Sequence, residues 1–288
     1  MTATEIAAEK PAEFPFEIRG GVLNSMGIQM YSTLGKCLVE FVANAYDGDA
    51  GAVELSIPFP RIEEARQDIL KRARQAKAEG RLSDRDRILA EALPDDITVE
   101  IADDGTGMLP REIIDKFLPL NRQRRADEHG NETQLHSESG RRFVMGRKGL
   151  GKLAGFGAAE RVTVTTKRAG QTFATRFVMD ATKLRQSNLG SVALVPEYIE
   201  NEPAQDKYTK ITLSGLKSEA CKYGSATITG ALREAFWAID ADEFAIAVNG
   251  VRVEPLKPDY EYEYPPAAER QGDMADAIVK LDDYDDLP

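Results

Sequence analysis

The chain has 288 residues, of which 42% are hydrophobic and 30% charged, with a formal net charge of −11. That length and composition support a substantial core in one large domain or two small ones. The acidic balance argues against a broad nucleic-acid or anionic-membrane footprint, so DNA is not an expected partner of this chain. The two cysteines, Cys37 and Cys221, are far apart, without disulfide or zinc spacing, which predicts a reducing, cytoplasmic setting. No secretory signal and no membrane-length apolar run is present, so no membrane partner is expected.

Residues 1–24 read as an N-terminal arm, loose over its first twenty residues except for Phe14, Pro15 and Phe16. The pattern predicts a helix over 31–45, closed by Gly48 and Gly51, and a strand over 52–58. Residues 61–92 are dense in Arg, Lys, Glu, Asp and Ala with a break near Gly80. They predict a solvated helical hairpin, inserted into the domain, with Ile62, Ile69 and Leu70 as a thin apolar stripe. Ile97, Val99 and Ile101 alternate with polar residues and predict a strand that runs into Asp103. A helix is predicted over 110–117, with Pro110 in its first turn. Residues 119–147 are polar and basic, as in a long loop. A further helix is predicted over 149–156, strands over 161–166 and 172–180 around a turn at 168–170, and a strand over 210–213. Residues 216–265 extend the sheet or begin a following domain, with a helix over 226–239 and a hairpin turning at Asn249-Gly250. Residues 266–288 form an acidic tail.

Three strings carry chemistry. In the first, Glu40, Asn44 and Asp47 fall at helical spacing on one face, while Leu38, Val39, Phe41, Val42 and Ala45 offer apolar surface for the other. A solvated helix would place Lys or Arg four residues after a Glu to form an ion pair. An Asn there suits a face turned to a metal-bound, charged ligand. The second string, Asp103-Asp-Gly105-Thr-Gly107-Met108, follows a strand. A carboxylate there accepts a hydrogen bond from an exocyclic amine, glycines allow close backbone approach, and Met108 offers adaptable contact to a ring. By itself the string is also a good turn. The third, Gly146-Arg-Lys-Gly149-Leu150-Gly151-Lys152, opens a helix with backbone N–H groups and lysines able to cradle phosphate. It also fits most of a P-loop, but Leu153 stands where that motif needs Ser or Thr.

In this order the strings resemble the GHKL ATPase superfamily: gyrase B subunits, the ninety-kilodalton heat-shock chaperone, histidine kinases and MutL. Glu40, Asn44 and Asp47 match its E-x-x-x-N-x-x-D motif; Asp103, Gly105, Gly107 and Met108 match D-x-G-x-G-[MIL]; Gly146, Gly149 and Gly151 match the glycine-rich string. Thr209 matches the fourth motif, with Tyr208 where a glycine is usual. The stretch 44–50 and the Gly-Arg-Lys-Gly-Leu-Gly-Lys string look closest to microrchidia-type ATPases and their bacterial relatives. The match covers about residues 25–215, which would form the ATP-binding domain.

The resemblance implies an α+β fold of Bergerat type, a sandwich of a mixed, mostly antiparallel sheet with helices on one face. It implies Glu40 as general base, Asn44 as magnesium ligand, and Asp47 among the nucleotide-binding residues. Asp103 would take the adenine amine with help from Thr209, and Gly105, Gly107 and Met108 would line the ring. Gly149, Leu150, Gly151 and Lys152 would hold the phosphates, and residues 119–147 would be the lid, its arginines, Arg141 and Arg142 among them, reaching phosphate or lying solvated. The implied activity is slow, magnesium-dependent hydrolysis of ATP, with lid closure and homodimerisation through the arm and the lid. Downstream domains or a partner protein are implied as well. A non-hydrolysing nucleotide sensor is the alternative, with Glu40 against it. A histidine-kinase-type phosphotransferase is a further one, disfavoured because no acceptor-histidine helix precedes Glu40 and because His129 and His136 lie in the polar loop.

Overall fold

The computed structural model describes residues 10–12, 14–17, 32–119, 136–146, 151–186 and 191–256, the side chains of 15–17, 152, 184–186 and 191–192 excepted. Its first strand, β1 (Phe14–Glu17), lies in the segment expected to be loose. It pairs antiparallel with residues 191–194 of the same chain. Phe14 is fully buried, edge-on to Phe177 with ring centroids 5.7 Å apart. Burying a whole aromatic ring, worth about 1.5–3 kcal/mol, is what ties this segment down, and a single apolar tripeptide carries no periodicity from which to predict it. Nearby, Lys10 pairs with Glu200 and lies over the Phe173 ring, and Tyr198 donates its hydroxyl to Pro11 O at 2.6 Å.

Helix α1 (Leu34–Asp47) starts where Thr33 caps it, its hydroxyl accepting from Lys36 N. Leu34, Cys37, Leu38, Phe41, Val42 and Ala45 form its buried stripe, which leaves Glu40, Asn44 and Asp47 half-buried on the opposite side. Strand β2 (Ala52–Ser56) follows, then the charged helices α2 (Phe59–Ala78) and α3 (Leu82–Leu89). The predicted hairpin is present. Ile62, Ile69, Ala73 and Ala76 attach α2 to the rest, and the buried Arg66 donates to Ser218 O at 2.9 Å. Surface pairs such as Arg72 with Asp68 (2.8 Å) and Glu91 (2.7 Å) decorate it. Each exposed pair contributes about 0.2–1 kcal/mol, so the apolar row does most of the docking.

Strand β3 (Val99–Asp103) leads to α4 (Pro110–Glu112), where the Glu112 side chain accepts from Leu109 N at 2.9 Å. The predicted helix over 110–117 is not uniformly α: Ile113–Phe117 widens into a π turn, with Leu118 N bonded to Ile113 O. This turns Ile113 and Leu118 inward and sets Phe117 against Phe177, ring centroids 5.9 Å apart. A short 3-10 turn (Gly151–Leu153) and α5 (Gly155–Ala158) precede strands β4 (Ala159–Lys167) and β5 (Phe173–Asp180). The remaining elements are α6 (Ala181–Gln186), β6 (Ser191–Leu194), β7 (Glu197–Glu200), β8 (Tyr208–Leu216), α7 (Ser225–Ala235), β9 (Ala245–Val248) and β10 (Val251–Arg252). Asn249 (φ 50°) and Gly250 (φ 76°) both take the left-handed backbone that a tight two-residue hairpin turn requires.

The main sheet has eight strands in the order β10-β9-β2-β3-β8-β4-β5-β7. Only β2 and β9 pair in parallel; the other neighbours are antiparallel. Strand β9, from the residues after 215, is a member of this sheet beside β2. Alternation sends Val53, Leu55, Val99, Ile101, Val162, Val164, Phe177, Met179, Ile211 and Leu213 to the core. The intervening Glu54, Glu100, Thr163, Arg176 and Thr212 keep the other face polar, with Lys210 and Glu100 paired across it at 2.8 Å. The fold is α+β, a mixed, mostly antiparallel sheet with helices on one face, as the sequence implied. Cys37 and Cys221 are buried thiols, each pushed up to about 12 by burial, and Cys37 donates to Ala154 O at 2.9 Å. Among the described residues, no helix is long and apolar enough to cross a membrane.

Candidate functional site

Two ends of one site are built by different elements. At the first end, α1 presents Glu40 and Asn44 to the backbone of Gly151. A Cβ on Gly151 would lie 2.8 Å from Glu40 Oε2 and 3.4 Å from Asn44 Nδ2. Only glycine lets the chain run this close to the two polar groups. Residues more than a hundred positions apart are thus brought together, with Glu40 and Asn44 one helical turn from each other. Gly149 and Leu150 lie outside the described residues, as does the side chain of Lys152.

The second end lies at the end of β3. Asp103 pairs in register with Thr209 of β8, and Thr209 with Thr166 of β4. Cross-strand partners share a face, so the carboxylate and the two hydroxyls form one polar row. Thr166 donates to Tyr208 O (3.1 Å) and accepts from Met108 N (3.0 Å). Its single proton is therefore committed, and the 3.1 Å contact between the two hydroxyls is Thr209 donating to Thr166. What remains is acceptor capacity, on Thr209 and on Asp103. A ligand edge that donates, such as an exocyclic amine, would complement this end. Thr166 was not legible as a site residue; its only signal is the polar end of an alternating strand. Tyr208 faces away from the row, its hydroxyl 3.4 Å from Glu202, because neighbours on a strand point to opposite sides.

Asp103 also accepts from Gly105 N at 2.9 Å. Its carboxyl is pushed up to about 7, chiefly by burial and in smaller part by neighbouring Asp104, against hydrogen bonds from Gly105 and Thr209 and the charge of Lys207. Asp104 points elsewhere, accepting from Gly51 N (2.7 Å) and Ala52 N (2.9 Å). Gly107 has φ 65°, and a Cβ there would meet Lys167 O at 1.9 Å. We expect Gly107→Ala to displace the loop and abolish ligand binding at this end, with a lowered thermal midpoint. The left-handed backbone alone costs about 1–2 kcal/mol. Gly80→Ala, at φ 74° with nothing within 4 Å, is the matched control for strain without a clash. Equal behaviour of the two in thermal unfolding and binding would disprove the contact's importance.

Asp47, expected among the nucleotide-binding residues, and Arg142, one of the lid arginines expected to reach phosphate or lie solvated, both make their contacts at the C-terminal end of α1. The Asp47 carboxylate accepts from Met145 N (2.6 Å) and Gly146 N (3.0 Å). The Arg142 guanidinium donates to Tyr46 O (3.2 Å), Ala50 O (2.6 Å) and Glu243 O (2.8 Å), so it is committed to carbonyls rather than pointed at a ligand. One of these carbonyls, Tyr46 O, belongs to the last turn of α1, and the other two lie beyond the helix. Of the other lid arginines, Arg122, Arg124 and Arg125 lie outside the described residues, and Arg141 is exposed.

The donor set also fits a magnesium ion. Magnesium takes one or two protein oxygens and completes its shell from phosphates and water, and Asn44 beside Glu40 offers such a sparse set. Among the described residues there is no group of three or more His, Cys, Asp or Glu that would hold a metal by itself.

The chain is 27% identical over 243 residues to a candidate type II restriction enzyme of Herpetosiphon aurantiacus, covering 83% of this chain and 32% of that protein. It is 26% identical over 224 residues to the chaperone protein HtpG of Rhodopseudomonas palustris, covering 77% of this chain and 31% of that one. It therefore spans about a third of the length of these relatives. Among solved structures, the ATPase and transducer domains of DNA topoisomerase II from Balamuthia mandrillaris align with a TM-score of 0.45 at 17% identity, covering 77% of this chain and 48% of that one. The family model for histidine kinase-, DNA gyrase B- and HSP90-like ATPases matches residues 31–209, a span that holds both ends of the site, and the chain belongs to that family.

Proposed function

We propose that this chain binds ATP with magnesium and hydrolyses it to ADP and phosphate, as the nucleotide-driven module of a larger assembly. The observation that carries the reading is the meeting of Glu40 and Asn44 at Gly151, on the same domain as an amine-accepting row of Asp103, Thr209 and Thr166. Asp103 takes the adenine amine, and Gly105, Gly107 and Met108 line the base. Gly149, Leu150, Gly151 and Lys152 cradle the phosphates, and Asn44 holds magnesium, which when bound offsets phosphate charge. Glu40 orients a water and accepts its proton as the oxygen attacks the γ-phosphorus. Positioning and electrostatics dominate phosphoryl transfer, so this one carboxylate separates hydrolysis from binding. Asp47 acts on the nucleotide indirectly, by holding Met145 and Gly146 at the start of the phosphate loop.

ATP-gated lid closure and homodimerisation belong to the same proposal. The segment 14–17 is already paired within its own chain, so the proposed dimer does not require those residues to leave it. Phosphate release and equilibrium nucleotide binding test the core claim. Binding of ATP in preference to GTP, with turnover, is expected; binding without turnover would leave the sensor reading, and label retained on protein the phosphotransferase one. Light scattering with a non-hydrolysable ATP analogue should show a doubled mass, and a monomer at saturation would remove the dimer from the proposal.

A further inference from the structure

Segment 136–146, within the stretch read as lid, is fastened to the body at several points. Asp49, itself at φ 57°, accepts from Ser139 N (2.8 Å) and Ser139 Oγ (2.7 Å). Asp47 accepts from Met145 and Gly146. On the other flank, Arg168, in the β4–β5 turn, pairs with Glu138 of the segment and with Glu112 of α4, the latter at 2.9 Å. The central bolt is Arg142. Helix α1 has no basic residue in its own last turn, although its carbonyl end favours a cation. Arg142 supplies one from nearly a hundred residues away. Its guanidinium lies 4.6 Å from the Tyr46 ring centroid and 5.6 Å from that of Phe244, while it bonds three carbonyls.

We infer that Arg142 is a positioning residue for ATP hydrolysis, fixing the start of the phosphate loop against the end of the helix that carries Glu40 and Asn44. The inference rests on the proposed ATPase reading. Tyr46 and Ala50, whose carbonyls hold Arg142, flank Asp47, and Asp47 in turn holds Gly146, the first glycine of the phosphate string. A shift at Arg142 therefore moves the phosphate loop relative to Asn44 and Glu40 while leaving the Asp103–Thr209–Thr166 row untouched. Misplacing reacting groups by an ångström costs up to about a hundredfold in rate, whereas binding held mainly by the base end changes little. Lysine is no substitute, because a point charge cannot make the planar three-carbonyl contact or stack on Tyr46.

The test compares wild type, Arg142→Ala and Arg142→Lys in steady-state ATP hydrolysis, with thermal midpoints and amide exchange at Met145 and Gly146. The expected result is kcat lowered about tenfold or more in Arg142→Ala and several-fold in Arg142→Lys, KM for ATP within about threefold of wild type, and faster exchange at the two amides. A folded Arg142→Ala with kcat within twofold of wild type overturns the inference and leaves the ATPase reading standing. A wild type that neither binds nor hydrolyses ATP overturns both. If Arg142→Ala does not fold, Arg142→Lys decides by the same split, lowered kcat supporting the role and unchanged kcat refuting it, and Ser139→Ala, which removes a hydroxyl that meets Asp49, Ser137 and Arg141 N, repeats the test on the neighbouring fastening.

Discussion

Glu40→Ala leaves ATP bound and lowers its hydrolysis by about 10²- to 10⁴-fold, the usual contribution of a positioned general base. The expectation comes from where Glu40 sits. Its carboxylate borders Gly151 at the phosphate end of the site, on a helix whose other face is locked into the core by Phe41, Val42 and Ala45. Removing the side chain opens space without disturbing that buried stripe, so the fold and the base-recognising row remain. Equilibrium binding of ATP within about threefold of wild type, together with single-turnover phosphate release, measures the two effects separately. Retained turnover in the variant would mean that another group activates the water, and the role given to Glu40 would be wrong. Asn44→Ala differs in kind, since its loss is expected to weaken the magnesium dependence of binding as well as the rate.

Asp103→Asn weakens ATP binding by at least about tenfold, the scale of one hydrogen bond to a charged acceptor, and it removes a pH dependence. With its carboxyl raised to about 7 by burial, Asp103 in the folded protein holds a proton that the unfolded chain has already released above pH ~4. The sign follows: the folded state binds more protons across that window, so Asp103's contribution to stability is full below it and is lost as pH rises through about 7. Adenine works in the opposite sense. Its amine donates, and the ionised carboxylate is a stronger acceptor than the carbonyl of the neutral acid, so affinity rises by up to about tenfold from pH 6 to pH 8 as the proton leaves. Calorimetry at neutral pH in buffers of different ionisation enthalpy should show about half a proton released per ATP bound. Asp103→Asn lacks both the inflection and the release, which separates Asp103 from titration of the phosphates. A pH-independent affinity in wild type would place the amine contact elsewhere.

What could be read from the chain follows the reach of its periodicities. The Glu40–Asn44–Asp47 face, the alternation of Val99 and Ile101, the charged hairpin and the Asn249-Gly250 turn are local, and a helix or strand repeats within a few residues. Their presence, and the order of the three motif strings, determined the family and the α+β class. The boundaries were less legible: the helix read as 31–45 forms as Leu34–Asp47, because Thr33 provides the cap. The two short strands over 191–200 and the pairing of Phe14–Glu17 carry no pattern of their own and exist through partners far along the chain.

The site divides in the same way. Sequence alone singled out candidates by their chemistry, a carboxylate, an amide and glycines at those spacings. Tertiary structure decided which of them face one another. It put Thr166 into one row with Thr209 and Asp103, turned Tyr208 away from it, assigned Asp47 to backbone amides and brought Arg142 to the end of α1. Apart from Tyr208, whose direction follows from strand alternation, each of these depends on hydrogen-bond partners forty or more residues away, and backbone groups near helix and strand ends take whichever side chain the fold delivers to them. That choice is made by packing, and no local spacing records it.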